Sequence, residues 1–214
     1  MSSGTVSNTS IAAPHWRDAL VERIRVEAQP PEKFSHQARL YLLAREIADA
    51  EQQAVDDDVL FGAAWAHDLG VFTGHRPSEP EALKRWNSTD YTVSKAGALL
   101  AECGFPQQKI AAAVECIRTH EPHGEPTTLE GIIVRDADLL EQIGTVAVMR
   151  TVAKIAQDTR FITFADAAAS LRRALETVPA KFRTVQGKKL AEPRIAALSS
   201  FLASLDAESM GELS

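Results

Sequence analysis

Ala63-Ala64-Trp65-Ala66-His67-Asp68-Leu69-Gly70 ends an apolar run with an imidazole and a carboxylate side by side, and a glycine follows two residues later. Upstream, Asp56-Asp57-Asp58 suits a helix start, because carboxylates favour the positive end of the dipole. Leu60, Ala63 and His67 fall at i, i+3 and i+7, so the imidazole continues the face that packs inward. Burying His67 and Asp68 at the end of an alanine-rich helix is costly unless they are paired or bind a cation. The stretch therefore predicts a helix that delivers two potential ligands into an interior.

Two other stretches offer matching chemistry. In Phe34-Ser35-His36-Gln37-Ala38-Arg39-Leu40, a helical pattern begins in which His36, Leu40, Leu43 and Ile47 share a face, and the helix is expected to run to about Ala54. Taken alone, His36 reads as a core or capping histidine. Arg39, one turn on, reads equally as a solvated residue or a phosphate contact. Downstream, Ile132-Ile133-Val134-Arg135-Asp136-Ala137-Asp138-Leu139-Leu140 sets acids inside a strongly apolar helix. Thr127 and Glu130 have capping-box spacing at its start. Asp136 and Asp138 point about 200 degrees apart around that helix, so both are not expected on one ion.

The order His, His-Asp, Asp resembles the HD-domain superfamily of metal-dependent phosphohydrolases. The resemblance runs from about Phe34 to Gly144. It is carried by FSHQARLYLLAREIA, AAWAHDLG, IRTHEP and TTLEGIIVRDADLLEQIG, with LETVPAKFRTVQGKKLAEPR beyond them. These blocks are similar to the branch of small stand-alone bacterial HD hydrolases. The resemblance implies an all-α, single-domain helical bundle and one divalent metal ion (Mn, Fe, Co, Ni, Zn or Mg) held by His36, His67, Asp68 and Asp138. Asp138 is chosen because its Ala-Asp-x-Leu context matches the family's final ligand; Asp136 is left as a supporting group or the partner of an arginine. Some family members hold a second metal through a histidine near the start of a later helix. The matching stretch here, Asn87-Ser88-Thr89-Asp90-Tyr91, has none.

The bulk numbers agree with one soluble domain. In 214 residues, 45% are hydrophobic and 24% charged. With 23 basic and 29 acidic residues the net charge is −6, which disfavours a nucleic-acid polymer as partner. Cys103 and Cys116 lack metal-site spacing and read as buried thiols of a reducing compartment. No apolar run approaches a membrane span, and the start lacks a secretory pattern, so a cytoplasmic location is expected. Residues 1–13 are expected to form a flexible tail. The HD core is expected over 34–144 within a domain of 14–210, with 145–210 supplying packing helices.

Between these blocks, a first helix near His15 to Val26 ends at Gln29-Pro30-Pro31. An irregular segment from Gly70 to Ser88 holds His75, Arg76, Lys84 and Arg85, and Ser88 or Thr89 is expected to cap the next helix. Gly104 ends that helix, and Pro106 suits the start of the next, which finishes at Arg118-Thr119-His120. A histidine there can simply answer the helix dipole. The resemblance instead implies that His120 faces the phosphate.

Two imidazoles and two carboxylates make a mixed nitrogen and oxygen site suited to a divalent transition ion. Asp68 is also expected to orient the attacking water, and His120 to transfer a proton. Arg39, His75, Lys95 and Arg118 are the candidate substrate contacts. The expected activity is hydrolysis of a nucleotide or related small phosphate ester or anhydride. Two alternatives stand beside it: an HD-type hydratase of a small nitrile such as cyanamide, and a ligand-sensing domain without turnover. A homodimer is compatible with the resemblance.

Overall fold

The computed structural model describes residues 15–155 and 161–213; the expected tail lies outside the described residues. Among the described residues there are ten α-helices and no strand. In chain order these are α1 (Trp16–Glu27), α2 (Glu32–Ala48), α3 (Asp57–Ala66), α4 (Pro80–Lys84) and α5 (Ser88–Glu102). They continue as α6 (Ile110–Thr119), α7 (Leu129–Leu140), α8 (Thr145–Val152), α9 (Phe164–Thr177) and α10 (Val185–Ser209).

α3 is the axis of the bundle. Asp56 caps it by accepting from the amides of Asp58 and Val59, and Asp57 and Asp58 fill the first turn. From Val59 to Ala66 it has no charged or hydrogen-bonding side chain except the Trp65 indole, and every residue is buried. A helix apolar all round must be covered on all sides. α1, α2, α6 and α7 supply that cover. α7 is the other deeply buried element, packed on α2, α3, α6 and α10. The expectation of a single all-α bundle holds.

Several boundaries differ from the sequence reading. α2 stops at Ala48 rather than near Ala54, as the chain turns through Asp49 and Ala50 toward α3. The cap of α5 is Asn87, whose side chain accepts from the Asp90 amide at 3.0 Å, so Ser88 and Thr89 lie inside the helix. The cap of α7 is Thr128, bonded to the Gly131 amide at 3.1 Å, and the Thr127–Glu130 box does not form. Glu130 reaches across to the Asp56 amide at 3.0 Å and supports the start of α3 instead. A capping box does occur at Thr163 and Asp166, where α9 begins. The segment between Gly70 and Ser88 contains the short α4, capped by Glu79.

Candidate metal centre

The end of α3 is fixed by close packing. After Asp68 the chain tightens into one 3₁₀ turn, Leu69–Val71. A Cβ at Gly70 would lie 2.3 Å from the Ser88 carbonyl oxygen, so only glycine lets α5 approach this closely. The Gly70 amide donates to Thr92 Oγ1 at 2.8 Å, and Trp86 Nε1 donates to the Gly70 carbonyl at 2.8 Å. The His67-Asp68 pair is thus held on both sides of its turn.

Three histidines converge there from different helices: His36 from α2, His67 from the end of α3 and His120 from the end of α6. All three are buried. His67 Nδ1 lies 2.9 Å from the Ala64 carbonyl and His120 Nδ1 lies 2.6 Å from the Ile117 carbonyl. A carbonyl only accepts, so both Nδ1 atoms carry the proton. His36 Nδ1 lies 3.1 Å from Glu141 Oε2 and donates in the same way. With Nδ1 so engaged, Nε2 is the ring atom each histidine can offer to an ion.

Two of those atoms meet. His36 Nε2 and His67 Nε2 are 3.2 Å apart, the two atoms that the Nδ1 partners leave free for an ion. Around them, Asp138 Oδ1 is 3.5 Å and Asp68 Oδ2 is 3.6 Å from His36 Nε2, and Asp68 Oδ2 is 3.7 Å from His67 Nε2. Two atoms each about 2.1 Å from one ion at a right angle stand about 3.0 Å apart. The spacing fits a shared cation. Burial lowers the His67 imidazole to about 4 against the opposing pull of Asp68, so it is neutral and able to ligate at neutral pH. Burial alone would raise Asp68, but His67, His36 and Lys33 outweigh it and hold the group well below the usual carboxylate range. Asp138 is likewise pushed up by burial and held low by His36, His120 and His67. One buried anion, Asp138, and one part-buried anion, Asp68, beside two imidazoles call for positive charge, and His-Asp donors suit a divalent ion.

The structure brings His36, His67, Asp68 and Asp138 together. It also draws in His120, whose donor atom lies within 4.8 Å of those of His67 and Asp68. His120 thus lies nearer the ligand set than the sequence reading placed it. Asp136 belongs elsewhere. Its carboxylate accepts from the amides of Arg183 and Thr184 at 3.0 and 2.7 Å and from Thr184 Oγ1 at 2.7 Å. Its partner is therefore the backbone before α10, not a guanidinium.

The candidate substrate contacts separate. Arg39 lines a cavity of about 470 Å³ that opens on His36, together with Lys33, Arg76, Arg150 and Lys154. His75, Lys95 and Arg118 do not line it. Both ring nitrogens of His75 are engaged, with Glu27 Oε2 and the Tyr91 hydroxyl each at 3.0 Å. Lys95 is exposed on α5, near the Tyr91 ring. Arg118 is exposed and paired with Glu115 at 3.3 Å, because two positions before His120 the helix has turned to its other side.

The sequence reading missed Glu141, which is 1% exposed at the end of α7. Besides His36, its carboxylate accepts from Arg39 Nη2 at 2.8 Å, and it lies 3.4 Å from Arg150 Nη1. Burial would raise this acid; His36 and Arg39, with Arg150, bring it down to about 2. The available signal was its spacing, one turn beyond Asp138 in an apolar helix.

A comparison with curated proteins gives no match. Solved structures do match. Bacillus subtilis YpgQ, determined in complex with ADP, is 22% identical with a TM-score of 0.65, over 92% of this chain and 98% of that one. A predicted HD superfamily hydrolase from an uncultured Thermotogales bacterium is 28% identical with a TM-score of 0.60, over 91% and 93% of the two chains. An HD-superfamily hydrolase from Bacillus thuringiensis is 17% identical with a TM-score of 0.62, over 92% and 97%. The HD domain family model matches residues 34–143, which takes in every residue of the His-Asp cluster. The chain belongs to the HD domain family.

Proposed function

We propose that this protein is a metal-dependent phosphohydrolase acting on a nucleotide or a related small phosphate ester or anhydride. The observation that carries the reading is the close approach of His36 Nε2 and His67 Nε2 between two anionic carboxylates, beside a cavity that His36 lines together with five basic side chains. Lys33, Arg39, Arg76, Arg150 and Lys154 line that cavity with a single acid, Glu32. Such a lining suits a ligand carrying several negative charges, with arginine able to grip phosphate through two parallel hydrogen bonds. A small neutral nitrile has no charge for a basic lining to recognise. Val146 and Met149 offer an apolar wall for the rest of the ligand. The ADP of the YpgQ structure agrees with this class, although the likeness to that protein is one of fold.

His36, His67, Asp68 and Asp138 would hold the ion. A divalent cation supplies a Lewis acid for phosphoryl oxygens and makes water a better nucleophile at neutral pH. Asp68 stays ionised at neutral pH and can accept a hydrogen bond from the attacking water, fixing its direction. His120 has Nδ1 committed to Ile117, so any proton it exchanges with substrate passes through Nε2. Arg39 and Arg150 bind and orient the phosphate chain.

A matrix of Mn, Co, Ni, Mg and Zn against nucleoside mono-, di- and triphosphates, generic phosphoesters and cyanamide tests the reading. The expected result is metal-dependent release of phosphate or pyrophosphate. Turnover confined to cyanamide, or none on any phosphate with any ion, would overturn it.

A further inference from the structure

Glu141 stands between the metal centre and the basic cavity. On one side is His36, whose Nδ1 donates to Oε2 at 3.1 Å. On the other side are two of the cavity's three arginines, Arg39 and Arg150. Arg39 Nη2 and Nε donate to the same oxygen at 2.8 and 3.1 Å, and Nε also lies 3.2 Å from Oε1. Arg150 Nη1 lies 3.4 Å from Oε2 and donates to the Glu141 backbone carbonyl at 3.1 Å. One buried oxygen thus receives donors from α2 twice over and from α8, while its own side chain comes from the end of α7.

We infer that Glu141 is a positioning residue that ties the metal centre to the anion-binding cavity, orienting His36 toward the ion and Arg39 with Arg150 toward the phosphates. The inference rests on the proposed function for the identity of the ligands, and on the hydrogen bonds alone for the linkage. The geometry demands a carboxylate. His36 can present Nε2 as an acceptor only while Nδ1 donates, so its partner must accept and never donate. The same oxygen must also accept from a guanidinium. Glutamine has one oxygen and one NH₂ group, so at this position its amide donors would face either the imidazole or Arg39. Aspartate keeps the charge but is one methylene shorter, so it cannot keep all the partners.

The arginines are committed only in part. Arg39 Nη1 reaches Ser35 Oγ at 3.0 Å, and Arg39 and Arg150 both line the cavity. Holding each cation against Glu141 at the cavity wall leaves less ordering to do when a ligand binds.

The test uses the full chain, stripped of metal, with Mn²⁺ and then inorganic pyrophosphate titrated by calorimetry. Glu141→Gln is expected to weaken Mn²⁺ binding by roughly 10–100-fold in the absence of any substrate. It is also expected to weaken pyrophosphate binding to the Mn-saturated protein by roughly tenfold or more. Arg39→Met should show the second loss with Mn²⁺ affinity unchanged within about twofold, since His36 and Glu141 remain. In the double variant the pyrophosphate losses should be less than additive, because both substitutions break one linkage. A packing role alone would move the melting temperature and neither affinity. Glu141→Gln with wild-type affinity for Mn²⁺ or for pyrophosphate overturns the inference, as do fully additive losses. Should Glu141→Gln not fold, Glu141→Asp is read in its place by the same two affinities, and wild-type values for either again overturn the inference. A wild-type chain that binds no Mn²⁺ would sink the functional reading as well, which separates the two failures.

Discussion

Asp136 and Asp138 differ by two positions in one helix and serve unrelated ends. Asp138 faces the histidine cluster, while Asp136 is fully buried against the segment that starts α10. Three donors end on Asp136, and Gly187 sits so close that a Cβ there would lie 2.8 Å from Asp136 Oδ2. Removing the carboxylate strands buried donors, so Asp136→Ala should destabilise the fold by about 2–4 kcal/mol, read from urea unfolding. The surviving folded protein should keep its metal content. Loss of metal without loss of stability would exchange the roles of the two acids. Helical phase alone separates these residues in the sequence; which of them faces the ion comes from the family context of Asp138. Glu141 was legible only as an acid one turn beyond Asp138. Its role depends on α2 and α8 both meeting the end of α7, and no local pattern records that meeting.

At the scale of elements, α1 is tied to α3 mainly by charge on one side and aromatic packing on the other. Arg17 Nη2 lies 2.9 Å from Asp57 Oδ2 and 2.6 Å from Asp58 Oδ1, and Trp16 meets the Phe61 and Phe105 rings edge to face. Asp58 is held below its ordinary value first by Lys109 and then by Arg17. Asp57 is pushed up by burial, but Arg17, Tyr41 and Arg45 outweigh that and lower it. A carboxylate with a lowered folded value adds stability above its unfolded value and loses it as pH falls through the folded one. Arg17→Ala should therefore cost about 1 kcal/mol at pH 7. The difference from wild type should shrink below about pH 4, as the acids take up protons. Unfolding curves at pH 7 and pH 3 measure it, and an equal cost at both would contradict the pairing. The acids at the start of α3 were readable as a helix signal from sequence. Their cations, drawn from α1, α2 and the turn before α6, were not, since pairing across 12 to 53 positions is a property of the packed fold.

For the whole molecule, the bundle was legible because α3 and α7 are too apolar to lie on a surface, and the remaining helices carry one-sided patterns that cover them. The cluster was partly legible: the His-Asp pair marks itself by its burial, and the resemblance supplies His36 and Asp138 from far along the chain. The substrate side was the least legible. His75 looks like a loop recognition group but bridges Glu27 and Tyr91, whereas Lys33 and Arg150, which no sequence pattern singles out, line the cavity. Charged side chains are long, and their destinations depend on which helices lie opposite. The central claim is that His36, His67, Asp68 and Asp138 share one divalent ion, and Mn²⁺ titration calorimetry on the metal-stripped protein tests it most directly. Wild type and Asp136→Ala should each bind one ion per chain. Saturating the wild type at about 100 times its Kd should also stabilise it by about 2.7 kcal/mol. Asp68→Ala and Asp138→Ala should each lose roughly tenfold or more in affinity, because each removes an anionic donor from a buried site. Unchanged stoichiometry and affinity in both of those variants would contradict the account.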